Sequence, residues 1–297
     1  MIFVFIKRKR VISAERIEKF QEIFICPLCK KQMQLVDLKS LVCENQHCFD
    51  IAKCGYLNLS SRASNTKYDQ KIFDNRRAVS QSGLFNPLHA VISEIMMSEL
   101  QSDEPLSILD AGCGEGSHLN RIQVEMQKKK SNPLLAVGID ISKEGISSAA
   151  AEYSNAIWCV ADIANCPFAN QQFNYIVNIL SPANYSEFKR MIMDQGMVIK
   201  VVPEQDHLKE IREVLHEGSN KQVYSNGPII NYFNKQFKLL DIVSIRYPAS
   251  LNESLIDPLL GMTPLSWGVS SYRKKKIQKM NLKQVTMDFK ILIGKKQ

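Results

Sequence analysis

The sequence predicts an α/β fold built on a parallel sheet with crossover helices, preceded by a small cysteine-rich module. Two observations carry this. From Pro105 onward, short apolar runs alternate with amphipathic stretches at the spacing of strand-helix-strand units. Ahead of them, five of the eight cysteines crowd between Phe24 and Leu59, a stretch with little apolar surface in which to bury ordinary thiols.

A chain of 297 residues has room for one large α/β domain and a small extra module. A composition 45% hydrophobic and 23% charged excludes the disordered and membrane classes. Met1 to Ile6 is apolar, but Lys7 to Arg10 follow it, which reverses the order of a secretory signal, and the run is far too short to span a bilayer. A cytoplasmic protein without a membrane partner is expected, and in such a chain eight cysteines do not read as a disulfide framework. The net charge of +8 suits a polyanionic partner, although three of those charges fall in residues 1–22.

Residues 1–22 combine a basic run with a helical pattern over Ile12 to Phe20, an extension without an assigned role. Residues 23–60 form the cysteine module. Residues 61–104 read as linker and helical connector: the polar run Ser60 to Gln70 lacks periodicity, and helical patterning resumes at Lys71 and over Pro87 to Leu100. Residues 105–297 form the main domain, with strands at LSILDA, LLAVGID, AIWCV, FNYIVNIL and GMVIKVV and helices from Ser117, Lys143 and Tyr185. FKLLDIVSI and VTMDFKILI supply two further strands to close the sheet.

Asp110-Ala111-Gly112-Cys113-Gly114-Glu115-Gly116 follows the first strand directly and opens a helix, so its glycines permit a tight turn and close backbone approach to a ligand. A dinucleotide fingerprint would need glycine where Ser117 stands. The D-x-G-x-G-x-G form resembles S-adenosylmethionine-dependent methyltransferases instead. Asp140 ends the second strand, where doubly wound folds place a carboxylate on ribose hydroxyls. Asp162, just past the third strand, sits where methyltransferases of this kind often read the adenine amino group.

Cys26-Pro27-Leu28-Cys29 offers two thiolates on one turn, and Cys43 and His47 offer two more ligands after thirteen intervening residues. Four soft ligands in two pairs form a zinc pattern. Cys48, beside His47, competes for the fourth place, and Cys54 is a weaker spare. With every place filled by protein the ion is structural, since no position stays open for metal-assisted catalysis.

These pieces, in this order, resemble the RlmA family of 23S ribosomal RNA (guanine-N1)-methyltransferases over nearly all of residues 23–293. The most specific portions are CPLC with the following CxxxH, FDIAKCGYLNL, NRRAVSQSGLFNPL, DAGCGEG, GIDIS and LLGMTPLSW. The resemblance implies a Rossmann-like class I methyltransferase domain behind a small N-terminal zinc-binding module. It implies S-adenosylmethionine as methyl donor, one structural zinc ion, 23S ribosomal RNA as partner, and pairing into a homodimer. Carried over residue by residue, the family's zinc ligands fall on Cys26, Cys29, Cys43 and His47, and its cofactor contacts on Phe85, Gly114, Glu115 and His207. Asp110, Gly112, Gly116, Asp140 and Asp162 complete the expected cofactor site from the loop and strand-end readings.

The chain departs from the family near the acceptor side. Asn178-Ile-Leu-Ser-Pro-Ala stands where the family tends to show a basic residue, an aromatic and Ala-Pro, with Pro182 retained, and Met193-Asp-Gln-Gly196 replaces a Lys-Pro-Gly-Gly turn. Asn178 to Pro182 is expected to line the guanine pocket, while Arg76, Arg77 and Arg273 to Lys276 are expected phosphate contacts. The expected reaction is methyl transfer to N1 of a guanine in a hairpin. The sequence identifies no proton acceptor. Two alternatives are a small-molecule methyltransferase, which has no reason to carry the cysteine module, and a zinc-dependent RNA-binding protein that has lost turnover.

Overall fold

A computed structural model describes residues 8–60, 69–98, 105–129, 133–218 and 225–297. The start of the basic extension, most of the polar connector, and the end of the helical run expected to reach Leu100 lie outside the described residues.

The apolar runs form the sheet. β5 (Leu106–Ala111), β6 (Leu134–Asp140), β7 (Ile157–Val160), β8 (Phe173–Ile179) and β9 (Ile192–Pro203) pair in parallel, and β5 is buried along its whole length, as a strand covered on both faces should be. The tail adds β10 (Lys238–Ser250) and β11 (Gln284–Lys295), an antiparallel pair joined through β11 to β9. The order is β10-β11-β9-β8-β5-β6-β7, with β4 (Leu57–Asn58) at the outer edge of β7. Strand order reverses between β5 and β8, so a ligand crevice opens at their carboxyl ends. This is the Rossmann-like methyltransferase arrangement the sequence predicts.

The crossover helices α4 (Ser117–Lys129), α5 (Lys143–Glu152) and α6 (Tyr185–Met191) begin where the sequence places them. Ser142 caps α5 by accepting from the Gly145 N–H at 3.3 Å, and Asn184 caps α6 by accepting from the Glu187 N–H at 3.3 Å. Before the sheet come α2 (Gln70–Gln81) and α3 (Asn86–Ser98). After β9 come α7 (Lys209–Leu215), α8 (Gly227–Gln236), α9 (Glu253–Met262) and α10 (Ser271–Lys279). Apolar clusters cover both sheet faces: Ile108 of β5 belongs to one and Leu109 to the other. Among the described residues no helix is long and apolar enough to cross a membrane.

The N-terminal module carries its own sheet and also joins the main one. β1 (Met33–Val36), β2 (Ser40–Cys43) and β3 (Cys48–Asp50) form an antiparallel sheet of three strands, while β4, from the end of the same module, pairs in parallel with β7 of the main sheet. Phe24 packs on Phe168 at 5.5 Å between ring centroids, and the Ile25 N–H donates to the Pro167 carbonyl at 3.0 Å. The helical run of the extension becomes α1 (Lys9–Lys19), with Ala14 and Ile17 fully buried. Ser13 Oγ donates to the Gly55 carbonyl at 2.5 Å and Arg16 to the Ser154 carbonyl at 3.1 Å. A short amphipathic helix is stable only when its apolar stripe finds a partner. Here the partner is distant in sequence, so local patterning gave the helix no role.

Candidate active site and metal centre

Two tight turns gather the metal ligands. Lys30, at φ 61°, lets its N–H donate to the Cys26 carbonyl at 2.8 Å, and Gln46, also at φ 61°, lets its N–H donate to the Cys43 carbonyl at 2.8 Å. One ligand atom from each of Cys26, Cys29, Cys43 and His47 lies within 4.8 Å of the others. Cys29 Sγ is 3.6 Å from Cys43 Sγ, and His47 Nδ1 is 3.5 Å from Cys26 Sγ and 3.4 Å from Cys43 Sγ. Tetrahedral bonds of about 2.0 to 2.3 Å require ligand separations of about 3.3 to 3.8 Å, so the set fits zinc. The Lys31 backbone N–H, then the imidazole and the neighbouring thiols, bring the Cys29 thiol down to about 6, while burial pushes the Cys26 thiol up. Cys48 is exposed and faces Asp50 Oδ1 at 3.9 Å, and Cys54 Sγ lies 3.7 Å from Ser147 Oγ. Both stay outside the cluster.

A cavity of about 710 Å³ opens at the carboxyl ends of the central strands, within the usual range for small-molecule sites. Phe85, Gly112, Gly114, Glu115, Asp140 and His207 line it, whereas Asp110, Gly116 and Asp162 do not. Gly112 has φ +86°, and a Cβ there would sit 2.0 Å from Ser181 Oγ and 2.7 Å from Ser181 Cβ, so a side chain is excluded where the β8 loop closes over the turn. Gly116 serves packing instead: its Cβ would lie 2.6 Å from the Trp158 ring. Asp110 sits behind the loop, 2% exposed, and among the described residues neither carboxylate oxygen has a hydrogen-bond partner. Asp162 accepts from the Ala164 N–H at 2.8 Å, a turn in which the adjacent Ile163 lines the cavity.

Charge on the loop favours a cation. Asp140 accepts from the Gly114 N–H at 2.9 Å and the Ser142 N–H at 2.8 Å, and Glu115 accepts from the Ser117 N–H at 3.1 Å. Burial raises both carboxyls above their ordinary values despite these bonds. Burial, and then the charges of Asp140 and Glu115, push Asp110 up to about 8. The Arg76 guanidinium lies over the turn, its Nη1 3.4 Å from where a Gly114 Cβ would stand and its centre 5.5 Å from the Phe73 ring centroid. S-adenosylmethionine carries a sulfonium, an ammonium and a carboxylate. The cavity-lining carboxyls of Glu115 and Asp140 can meet the first two groups and Arg76 the third, so the residues present fit this cofactor.

The opposite wall is aromatic. The Phe85 ring stands edge-on to His118 at 5.0 Å, His118 Nδ1 lies 2.8 Å from His89 Nε2, and His207 packs on Phe289 at 4.6 Å. Burial holds His118 at about 4, His207 at about 3 and His89 at about 2, so all three are neutral near pH 7.

Of the stretch expected from Asn178 to Pro182, Ile179 to Pro182 lines the cavity, while Asn178 is fully buried behind it. Leu180 holds φ +50° and is 39% exposed, an uncommon backbone for a branched residue and one that often marks a site. Asn178 Nδ2 donates to the Ala111 carbonyl and, at 2.9 Å, to the Pro182 carbonyl. Lys200 Nζ donates to Asn178 Oδ1 and the Ser181 carbonyl, and burial brings this lysine down to about 8. At the rim stands Trp267, 43% exposed. Sequence reasoning missed Lys200, though a lone charge in the apolar run MVIKVV was a signal. Several of the expected phosphate contacts are engaged within the protein. Arg77 bonds Ser148 Oγ and lies 3.9 Å from Glu152, Arg273 donates to the Leu215 and Glu217 carbonyls at 2.7 and 2.9 Å, and Lys276 pairs with Glu217 at 3.0 Å.

Comparison with known proteins agrees with this geometry. The family described as "RlmA, N-terminal" matches residues 24–60, and that described as "Methyltransferase domain" matches residues 102–225. The chain is 38% identical over 276 residues to YxjB of Bacillus subtilis (strain 168), provisionally named a 23S rRNA (guanine-N(1)-)-methyltransferase, covering 92% of this chain and 97% of that one. It is 28% identical to the 23S rRNA (guanine(748)-N(1))-methyltransferase of Streptomyces fradiae, covering 82% of this chain and 85% of that one.

Proposed function

We propose, since the chain belongs to the RlmA family of 23S ribosomal RNA (guanine-N1)-methyltransferases, that it methylates N1 of a guanine in a hairpin of 23S ribosomal RNA. It is an S-adenosylmethionine-dependent methyltransferase with a zinc ribbon at its front. The observation that carries the substrate is the union in one body of the Cys26, Cys29, Cys43 and His47 cluster with a carboxyl-lined cavity at the sheet's switch point. A small-molecule methyltransferase needs the second without the first.

Bound in the cavity, S-adenosylmethionine supplies an electrophilic methyl group. The largest contribution of the protein's own residues is placement, worth up to about 7 to 11 kcal/mol when the reacting atoms are held in line. In this reading Asp140 takes the ribose hydroxyls, the Asp162 turn presents Ile163 to the adenine, and Arg76 takes the carboxylate. Glu115 faces the cavity, Asp110 stays protonated behind the turn, Gly112 and Gly114 let the turn approach the ligand, Gly116 seats the turn on Trp158, and Phe85 and His207 form the apolar wall. A base in a hairpin must be unstacked before N1 is reachable. Leu180 and Trp267 offer apolar faces to receive it.

We assign residues 23–60 to an RNA clamp, residues 61–104 to connection, and residues 105–297 to methyl transfer, with α1 (Lys9–Lys19) bracing the clamp against the main domain. A cytoplasmic homodimer belongs to the same reading, and light scattering at micromolar concentration tests the pairing. Incubating purified protein with labelled S-adenosylmethionine and a 23S ribosomal RNA transcript, followed by nucleoside analysis, tests the reaction. Label in 1-methylguanosine is the expected outcome. Label confined to another nucleoside, or none in RNA, would overturn the substrate.

A further inference from the structure

β9 is apolar from Met197 to Val202 except at Lys200. Its side chain is 5% exposed, lines the cavity, and stands in register with Asn178 of β8. Both groups that accept from Nζ, the Asn178 amide oxygen and the Ser181 carbonyl, are uncharged. Among the described residues no carboxylate forms an ion pair with it. A buried ammonium without a counter-charge is costly, and an apolar side chain of similar length would suit the strand better. Stability therefore gives no reason for a lysine at this position.

The local geometry gives one. An ammonium carries three donors, and two are committed to the loop that closes the acceptor side. Asn178 cannot turn away, because its own NH2 group is held by the Ala111 and Pro182 carbonyls. The remaining N–H is thereby held on the cavity wall, beside the loop through which the acceptor base would enter.

Methylation at guanine N1 forms the N1–CH3 bond and breaks the S–CH3 bond, whose electron pair returns to sulfur. The N1 proton passes to solvent water, and as it leaves, negative charge gathers on O6 through the N1–C6–O6 unit. We propose that Lys200 donates its third N–H to O6 of the target guanine, stabilising that charge and selecting guanine. The inference rests on the guanine-N1 reading above. Adenine presents an amino donor at the same position, so donor would face donor and the wrong base would be rejected.

The test compares Lys200→Gln, Lys200→Met and Lys200→Arg in the full-length zinc-loaded protein. Glutamine keeps neutral donors for Asn178 and Ser181 but removes the charge. Single-turnover methyl transfer is measured on a transcript with the target guanine and on one with adenine there, and cofactor Kd is measured by calorimetry. The Gln and Met variants should lose roughly 10²- to 10³-fold in rate, as on loss of one oxyanion donor, with cofactor Kd within about twofold of wild type. Arg should recover part of the rate, and the guanine-to-adenine ratio should fall at least about tenfold in Gln and Met. Wild-type rates in Gln and Met, or a loss accounted for by weakened cofactor binding with an unchanged ratio, would overturn the role of Lys200. Failure of the wild-type protein to methylate the guanine transcript would instead overturn the reading beneath it.

Discussion

Replacing Gly112 with alanine strikes the cofactor turn and the acceptor loop together. The residue sits at φ +86°, where an L side chain costs about 1 to 2 kcal/mol. The new Cβ would also meet Ser181 Oγ at 2.0 Å and Ser181 Cβ at 2.7 Å. The hydroxyl can rotate away, but Cβ cannot move without the backbone of residue 181. That backbone carries the carbonyl on Lys200, and the next carbonyl holds Asn178. Losing one such buried hydrogen bond costs about 1 to 3 kcal/mol. We therefore expect Gly112→Ala to lose about 2 to 4 kcal/mol of stability in urea unfolding. S-adenosylmethionine Kd should weaken about ten- to a hundredfold by calorimetry, each factor of ten being about 1.4 kcal/mol. Gly218→Ala is the control: it has φ +76° but, among the described residues, nothing within 4 Å of its Cβ, so strain acts without collision. If the two variants match in both measurements, the close approach of Ser181 to the turn has no consequence for binding.

Three other outcomes follow from the same geometry. Metal analysis should find about one zinc per chain, with Cys29→Ser losing it and becoming protease-sensitive between Cys26 and Asp50; a variant that keeps the metal contradicts the ligand set. The burial-lowered histidines, His118 at about 4, His207 at about 3 and His89 at about 2, bind protons in the unfolded chain at higher pH than in the folded one. The stability these three histidines contribute is full above about pH 6.5 and is lost as pH falls towards 4, while Asp110, Glu115 and Asp140, all raised by burial, work the other way. The histidine contribution is therefore read as a difference: from pH 7 to 4 the urea midpoint of wild type should fall relative to that of His89→Gln, and parallel profiles would refute this. Trp267→Ala should raise KM for RNA by about five- to a hundredfold, from stacking worth about 1 to 3 kcal/mol, while Trp267→Phe retains most of the affinity and cofactor Kd stays put; unchanged KM removes Trp267 from the base-receiving rim.

The parts of the site legible in the sequence are those whose chemistry depends on neighbours in the chain. The glycine turn, Asp140 at a strand end, and two ligand pairs on two short turns are all local patterns. Position within a motif nevertheless did not decide contact: Asp110 lies behind the turn, and Gly116 is fixed by Trp158 rather than by the cavity. What escaped reading depends on pairing across the fold. Leu57–Asn58 is too short to show a strand period, yet it extends the main sheet. The apolar stripe of α1 has its partner far along the chain, and Lys200 gains meaning only from its register with Asn178.

The central claim is that this chain places a methyl group on a guanine N1 of 23S ribosomal RNA. Mapping modified nucleosides by mass spectrometry in 23S ribosomal RNA from a deletion strain and its complemented parent tests it most directly. One 1-methylguanosine should vanish on deletion, return with the wild-type gene, and return at lower occupancy with Gly112→Ala. Identical modification in deleted and complemented strains would contradict it.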